Sequence, residues 1–475
     1  MASVPPVSPR ESQTGKSKSP KNQTKPDLEK PILIPKDYVF KRGPPGRYAV
    51  RFLDAPGNPR KNYALRRIEF YEKSADSVNE EFDDSLSFHA AKILKVALRT
   101  WTILQHKPKK SHNFRICSYN VLCQKTLEET KFLYTRQDER FLNWKHRSAK
   151  LAMELPSLDA DIFCLQEVSH LHFKSFFLPL FKKLGFEARY EQKPKLEDGC
   201  AIFFNSELFK QVEYRRVDLF YAEGSTLNKP NVGQIVRLRH EESKREICVA
   251  NTHLVFGKKL GTTKFVQMAL MLAHLKQVLD KNPKATYVLC GDLNIEPFSD
   301  IYAFLVRKEL DLEKCVEAEM SGQESPFPER RENPATPPNQ GHHSPHLKIP
   351  AEVSLQPDCR LSSKKAESSP RLARISSKWS HQLNFSSVYN HLRPDGTRDV
   401  STFHSKEALN PDFIFYSVEG TKDEQGVRQV KESGLRLLNR LELPDISEAN
   451  AAFGPWPNKF TPSDHVPLLA DFAFV

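Results

Sequence analysis

The sequence lacks the features that mark membrane, secreted and disulfide-rich proteins. No stretch approaches the roughly 18 apolar residues that a transmembrane helix requires, so no membrane association is expected. The basic, serine-rich N-terminus has no apolar block of the kind found in secretory signals, and its early prolines favour a disordered tail over a transit peptide. The eight cysteines form no CxxC pair, and several lie in apolar β-like segments, where a thiol acts as a small buried hydrophobe: Cys117, Cys164, Cys200, Cys248 and Cys290. These absences predict a reducing compartment, the cytoplasm with the nucleus as an alternative, and argue against a disulfide framework.

Two catalytic signatures are also missing. There is no glycine-rich Walker loop, which argues against nucleoside triphosphate hydrolysis. There is no tight cluster of histidine and cysteine, which argues against zinc. Three histidines do lie close together, but no carboxylate or cysteine stands beside them in sequence, so a solvated loop is favoured over a metal site at His342, His343 and His346.

Composition divides the chain into segments. Hydrophobic residues make up only 39% of it, so part of the chain is expected to build no core. Residues 1–37 are predicted to be a disordered basic tail, and residues 38–110 an accessory segment with two short strands and a helix over 85–104. The catalytic domain is predicted over 111–475, with a disordered insertion at about 318–378 that is rich in proline, serine and charge. The net charge of +12 fits a polyanionic partner such as nucleic acid, although lysine-rich tails give the same excess.

From Phe114 onward, short apolar strands alternate with helices, and the strands end in polar residues. Helices are predicted over 142–155, closed by Pro156, and over 172–184 and 262–281. Residues i and i+2 of a strand point to the same side, so Asp292 and Asn294 share one face at the end of the apolar run 287–290. One polar residue at a strand end is more often a cap or a turn residue, but six such ends indicate a shared site. The polar residues are Asn120, Glu167, His253, Asp292 with Asn294, Asp412, and Asp464 with His465.

The carboxylates of this set suit hydrolysis of a phosphodiester assisted by a hard cation. Glu167 and Asp464 offer anionic oxygens to Mg²⁺, with Mn²⁺ as a substitute. Asp292 can orient or deprotonate the attacking water.

The remaining polar tips suit recognition of the phosphate. Asn120, Asn294 and His253 can donate hydrogen bonds to the phosphoryl oxygens as negative charge develops. Asp412 can fix the tautomer of His465, which leaves the other ring nitrogen for the phosphate or the water.

Seven motifs in this order resemble the motif set of the endonuclease/exonuclease/phosphatase superfamily: SYNVL, DIFCLQEV, DGCAIFF, NTHL, GDLN, PDFIFYS and PSDHVPL. DGCAIFF and NTHL are similar to the branch that holds the messenger-RNA deadenylases, nocturnin and the Angel proteins, and stretches at 231–238, 321–325, 386–402 and 435–444 look most like the Angel proteins. The resemblance covers about residues 115–475 outside the insertion. It implies an α/β four-layer sandwich, in which two mixed β-sheets pack face to face with helices outside. It also implies catalytic roles for Asp292, Asn294, His253, Asp412, His465 and Asn120, and metal binding by Glu167 and Asp464.

The resemblance implies a Mg²⁺-dependent hydrolase that acts on an RNA 3′ end, but two positions depart from the deadenylase pattern. Where deadenylases hold a proline and an aromatic residue that pack the terminal adenine, this chain has Lys258 and Glu407, which offer no stacking surface. Two reactions stay open, a 3′–5′ exoribonuclease of deadenylase type and the opening of a 2′,3′-cyclic phosphate, with which Angel proteins are associated. The alternatives are an RNA-binding scaffold with a weak or inactive site, and a phosphoinositide phosphatase or DNA-repair nuclease on the same fold.

Several residues near the motifs are candidates for binding substrate or a partner. They are Asn231, Lys258 and Lys264, and Lys229 and Lys259 could also hold the RNA backbone, although each lysine is equally consistent with a solvated surface position. The segment 214–220, YRRVDLF, has the spacing of a short helix that docks on the cap-binding translation factor. It is favoured as a strand, so a translation or RNA-processing factor is only weakly indicated as a partner.

Overall fold

The structure, a computed structural model, describes residues 38–41, 49–52, 99–106, 108, 111–219, 229–323, 378–422, 428–451 and 454–475. The predictions for the tail, for most of the insertion with its histidines 342, 343 and 346, and for most of the helix over 85–104 lie outside these residues. A first hairpin pairs β1 (Tyr38–Lys41) with β2 (Ala49–Phe52), as the sequence predicted.

A mixed sheet of seven strands carries the SYNVL and DIFCLQEV motifs. Its strands are β3 (Trp101–Ile103), β4 (His112–Asn120), β5 (Ile162–Ser169), β6 (Phe186–Gln192), β7 (Asp198–Asn205), β20 (Leu435–Leu441) and β21 (Leu468–Phe474). Their order across the sheet is β3–β20–β21–β4–β5–β7–β6, and β4 and β5 run parallel.

A second mixed sheet has six strands. They are β8 (Phe209–Asp218), β9 (Val232–His240), β10 (Glu246–His253), β11 (Thr286–Asp292), β14 (Phe385–Ser387) and β17 (Asp412–Ser417). Their order is β14–β17–β11–β10–β9–β8, and β10 and β11 run parallel. Three further pairs are small: β12 (Glu309–Asp311) with β13 (Lys378–Ser380), β15 (Thr402–Phe403) with β16 (Ala408–Leu409), and β18 (Glu419–Lys422) with β19 (Arg428–Lys431).

The helices lie between and outside the strands. The α-helices are Gln124–Glu129, Glu139–Leu142, Trp144–Ser157, His170–His172, Leu178–Lys183, Gly261–Leu279, Asp300–Arg307 and Ile446–Ala451. Short 3-10 turns cover Lys131–Leu133 and Leu312–Lys314, and a π turn covers Phe173–Phe177. Among the residues that the structure describes, none of these helices is both long and apolar enough to span a bilayer.

The two sheets pack face to face, because alternate side chains of each strand turn inward. Ile116 and Ile162 of the seven-stranded sheet share one buried cluster with Val249 and Val288 of the six-stranded sheet. The intervening residues, such as Phe163, face the opposite side and pack against the helices that cover the seven-stranded sheet. The inner cluster is therefore the common core of both sheets.

The helix Gly261–Leu279 covers the outer face of the six-stranded sheet. The predicted stripe of Phe265, Met268, Leu272, Leu275 and Leu279 is 6% exposed or less throughout. Burial of each such side chain stabilises the fold by about 1.5–3 kcal/mol. The layers thus run helix, sheet, sheet, helix, which confirms the predicted four-layer α/β sandwich.

Several predicted boundaries differ from the structure. β3 pairs with β20, so the seven-stranded sheet begins before residue 111, and the helix predicted over 85–104 is wrong at Trp101–Ile103. Met320 and Ser321 are fully buried, so ordered packing continues into the segment assigned to the insertion. Pro156 lies inside the helix that it was expected to close.

The segment 214–220 is not a helix where the structure describes it. Its residues as far as Asp218 belong to β8, which pairs with β9 along its length. The strand favoured from the sequence is therefore confirmed, and the docking helix is not formed there. The spacing that resembled a docking helix belongs to a half-buried strand at the edge of the six-stranded sheet.

Candidate active site

The polar strand ends meet at one edge of the sandwich. β4 and β5 are parallel, β10 and β11 are parallel, and all four end at this edge. β17 is antiparallel to β11 and starts where β11 ends, so Asp412 lies opposite Asp292 in the register, and Asp292 lies beside His253. Residues from both sheets are therefore brought together by strand direction alone.

Asn120 joins the two carboxylates at the centre. Its Nδ2 donates to Glu167 Oε1 at 3.1 Å and to Asp292 Oδ2 at 3.0 Å, and its Oδ1 accepts the backbone amide of Leu122. The other oxygen of Glu167 accepts the backbone amide of Cys123 at 3.0 Å. Asn120 thus positions both acids. Its Nδ2 is already bonded to them, whereas the sequence analysis had assigned it to a phosphoryl oxygen.

Local backbone distortions aim these acids. Glu167 has φ 55° and lies where the pairing of β5 with β7 shifts register, and such a bulge turns a side chain away from the regular pleat. Asn294 has φ 50°, and its backbone amide donates to Asp292 Oδ1 at 3.0 Å. A Cβ at Gly291 would lie 2.0 Å from Thr252 O, so only glycine lets β11 approach β10 here.

Asp412 and His465 form the predicted orienting pair. His465 Nδ1 lies 2.8 Å from Asp412 Oδ2, and Ser401 Oγ donates to the same oxygen at 2.6 Å. His465 Nε2 then faces Asp292 Oδ2 at 3.7 Å. Burial alone would lower the pKa of His465, but the Asp412 and Asp464 carboxylates hold it well above the usual value, which favours the imidazolium form.

His253 is held as a neutral ring by a lysine that the sequence analysis did not identify. Lys193 Nζ lies 3.2 Å from His253 Nδ1 and 2.7 Å from Asp198 Oδ2, and both partners are buried. An ammonium can only donate, so Lys193 favours the tautomer in which Nδ1 accepts and Nε2 carries the proton. In that tautomer Nε2 makes no hydrogen bond to Asn294 Nδ2, which is itself a donor. Burial and the Lys193 charge lower the pKa of His253 well below its usual value, which fits this neutral form. Nε2 faces Asp292 Oδ2 at 3.6 Å and the Asn294 amide at 3.1 Å.

The donor set fits a hard divalent cation. Among the residues that the structure describes, Asp464 Oδ1 is buried without a hydrogen-bond partner, while Tyr134 donates to its Oδ2 at 2.9 Å. Burial, with the charges of Asp198 and Asp464, raises the pKa of Glu167 to about 7. Burial and the Asp412 charge raise the pKa of Asp292 to about 6. A cation would relieve this repulsion, and carboxylate oxygens are the ligands that Mg²⁺ prefers.

A second acidic group is less suited to a cation. Asp292, Asp412 and His465 each bring one atom within 4.8 Å of the others. His465 is charged and already bonded to Asp412, however, so this corner favours an anion such as a phosphoryl oxygen. Glu167 and Asp464 are the other carboxylates of the site that fit a cation.

Two predicted substrate contacts have structural roles. Lys264 is fully buried, and its Nζ donates to Gln323 Oε1 at 2.8 Å, so its assignment to a surface that holds RNA was wrong. Asn231 is buried, and its Nδ2 donates to His253 O at 2.9 Å, which fixes the end of β10. Burial lowers the pKa of Lys264 to about 7, against the pull of Asp292 and Glu296.

Lys258 lies at the rim of the site and pairs with Glu407. Its Nζ lies 2.5 Å from Glu407 Oε2, and both side chains are partly exposed. The two departures from the deadenylase pattern therefore complement one another as an ion pair between the loop after β10 and the turn before β16. Lys229 and Lys259 are both exposed, as expected of surface lysines.

A buried amide pair supports the site from below. Gln166 Nε2 donates to Asn251 Oδ1 at 2.8 Å, and Asn251 Nδ2 donates to Leu165 O and Ala201 O at 3.0 Å. This bridge crosses between the two sheets directly beneath Glu167 and His253. It fixes the spacing of the strands that carry the acids and the imidazole.

Comparison with known proteins agrees with this geometry. The family model described as the Endonuclease/Exonuclease/phosphatase family matches residues 117–465. Protein angel homolog 2 from Bos taurus is 33% identical over 382 residues, covering 76% of this chain and 69% of the relative. Protein angel homolog 1 from Mus musculus is 29% identical over 420 residues, covering 76% of this chain and 63% of the relative.

Similarity in both fold and sequence extends to a solved structure. The crystal structure of ANGEL2, a 2′,3′-cyclic phosphatase, in complex with adenosine-2′,3′-vanadate is matched with a TM-score of 0.66 and 31% identity, covering 79% of this chain and 98% of that chain. The chain therefore belongs to the endonuclease/exonuclease/phosphatase family, within its Angel branch.

Proposed function

We propose that this chain is a Mg²⁺-dependent phosphoesterase that opens 2′,3′-cyclic phosphates at RNA 3′ ends. The observation that carries the proposal is the position of Asp292, whose carboxylate lies 3.6 Å and 3.7 Å from the Nε2 atoms of His253 and His465. A base flanked by two N–H donors, one neutral and one cationic, suits attack of water on a phosphate that gains negative charge. The related ANGEL2 is described as a 2′,3′-cyclic phosphatase, which favours this substrate class.

Each residue has a definite task in this reaction. With a pKa of about 6, Asp292 is ionised at neutral pH and can accept a proton from the attacking water. The His253 and His465 Nε2–H groups can donate to the phosphoryl oxygens. Attack of water at phosphorus forms a new P–O bond and breaks one bond to a ribose oxygen, which takes up the proton that Asp292 removed from the water. The phosphomonoester remains on the other ribose oxygen. When bound at Glu167 and Asp464, Mg²⁺ would supply positive charge to the phosphate.

The rim of the site favours the cyclic phosphate over a poly(A) tail. Lys258 and Glu407 form an ion pair in the place where an adenine clamp would need a proline and an aromatic side chain. A cyclic end also brings its own ring strain, so less of the barrier must be overcome by contacts to the base.

Product analysis on RNA oligomers of one sequence tests the proposal. Oligomers that end in a 2′,3′-cyclic phosphate, a 3′-phosphate or a 3′-hydroxyl, and a poly(A) oligomer, are incubated with the full chain and Mg²⁺. The expected result is conversion of the cyclic end to a monophosphate with no shortening, and no conversion by Asp292→Asn. A ladder from poly(A) would instead establish an exoribonuclease. Turnover of none of these oligomers with Mg²⁺ or Mn²⁺ would refute a hydrolase of RNA ends.

A further inference from the structure

Phe256 is an exposed aromatic side chain on the loop that leaves the site. It is 62% exposed, whereas Leu254, two residues earlier, is fully buried. Phe256 follows His253 by three residues, so their Cα atoms are at most about 10 Å apart. This distance is within reach of the base of a terminal nucleotide whose phosphate lies against His253.

The backbone on the N-terminal side of Phe256 is fixed. The Leu254 amide donates to Asp292 O at 3.0 Å, and Leu254 O accepts from Asn294 Nδ2 at 3.0 Å. The Val255 amide donates to Gln267 Oε1 at 3.0 Å. These bonds attach the loop directly to the site.

The backbone on the C-terminal side is fixed as well. Ser321 Oγ donates to Lys258 O at 2.9 Å, and Lys258 Nζ forms its ion pair with Glu407. The Leu260 amide donates to Gly257 O at 3.3 Å. The loop therefore presents an exposed phenyl ring on a backbone that is hydrogen-bonded on both sides.

We propose that Phe256 is the stacking surface for the base of the RNA 3′-terminal nucleotide. Every base has a π face, so a single phenyl ring binds the base without selecting its identity. The Lys258–Glu407 ion pair holds this surface in place and adds no second ring. This inference rests on the proposed RNA substrate and adds a base-binding subsite to it.

A double comparison of enzyme and substrate tests the assignment. One oligomer carries a normal 3′-terminal nucleoside 2′,3′-cyclic phosphate, and a matched oligomer carries an abasic terminal ribose 2′,3′-cyclic phosphate. Phe256→Ala should raise KM for the first about 10-fold to 100-fold, leave kcat nearly unchanged, and leave KM for the abasic oligomer unchanged. Phe256→Trp should keep or lower KM for the first oligomer.

Two control variants sharpen the result. Met153→Ala removes an exposed apolar side chain from the outer helix Trp144–Ser157 and should change neither KM. Phe298→Ala removes the exposed ring of the neighbouring loop, which lies 5.5 Å from the Tyr302 ring, and should have a much smaller effect.

The possible outcomes separate the subsite from the reaction. If Phe256→Ala raises KM equally for both oligomers, or not at all, or if Phe298→Ala alone raises it, the stacking assignment is overturned. If the wild-type chain opens no cyclic phosphate, the proposed reaction fails. In that case the same comparison is made by fluorescence anisotropy, with Asp292→Asn and 3′-hydroxyl oligomers with and without the terminal base. A Phe256-dependent preference for the base supports the subsite, and equal binding refutes it.

Discussion

Without metal, the free energy of unfolding of Asp292→Asn relative to that of the wild type should increase as the pH rises. Asp292 is 2% exposed, and burial with the nearby Asp412 charge raises its pKa from 3.8 to about 6. The folded state therefore holds this proton more tightly than the unfolded state. The stabilisation from the bound proton is complete only below the unfolded pKa, and it is lost as the pH rises through the folded pKa.

The size of the effect follows from the two pKa values. Between pH 5 and pH 8, ionisation of Asp292 should remove about 1.4 kcal/mol from the free energy of unfolding of the wild-type chain. An asparagine carries no titrating proton, so the variant escapes this loss. It gives up one hydrogen bond, because Asn120 Nδ2 and the Asn294 amide both need an acceptor at this side chain, but that cost of about 1 kcal/mol does not depend on pH.

Urea unfolding in EDTA at pH 5, 6, 7 and 8 measures the difference between the two chains. The stability of Asp292→Asn relative to the wild type should increase by about 1.4 kcal/mol from pH 5 to pH 8, while turnover is lost. Glu128→Gln, which removes a carboxylate from an exposed position, serves as the control and should give a constant difference. If the difference in stability between Asp292→Asn and the wild type does not change with pH, the view that burial raises the pKa of Asp292 is refuted.

Two further changes test the cation site and the support beneath it. Because burial with the charges of Asp198 and Asp464 raises the pKa of Glu167 to about 7, Mg²⁺ must displace a proton at lower pH, so its affinity should rise about 10-fold from pH 6 to pH 8 and flatten above pH 8. Calorimetric titration should reveal this trend for the wild type, and its persistence in Glu167→Gln would contradict the assignment. Asn251→Leu removes one of the acceptors of Gln166 Nε2, which keeps Cys164 O, and takes the Asn251 donor away from the carbonyls of Leu165 and Ala201. This loss should cost about 2–4 kcal/mol in urea unfolding. Replacing Gln166 by leucine as well should recover part of that loss. A loss in the double variant equal to the sum of the losses in the two single variants would mean that the two amides are not coupled.

The architecture was accessible from the sequence because it depends on periodicity and strand direction. Inward residues such as Ile116 and Ile162 alternate with outward ones, and the apolar run before Asp292 ends in a glycine that the close approach of Thr252 requires. Parallel neighbours place their ends at one edge, so the polar tips had to converge once the strands were identified. The fold is also confirmed by the ANGEL2 match. The ends of strands and helices were harder to predict from the sequence. Trp101–Ile103, for example, joins the sheet by pairing with β20, which lies more than 300 positions away in the chain.

The residues that sequence reasoning missed act through contacts that no local pattern encodes. Lys193 lies in an irregular turn between β6 and β7, and its importance follows only from its distance to His253. From the sequence, Lys264 is expected to be a surface lysine of a helix. The helix is buried on nearly all sides, however, and the amine donates to Gln323 instead of contacting solvent. Lys258 and Glu407 each looked like the loss of a binding surface when considered singly. Together they form one ion pair that connects the loop carrying Phe256 to the turn before β16. A substrate preference in this branch is therefore better inferred from which loops are tied to one another than from the residue at any one position.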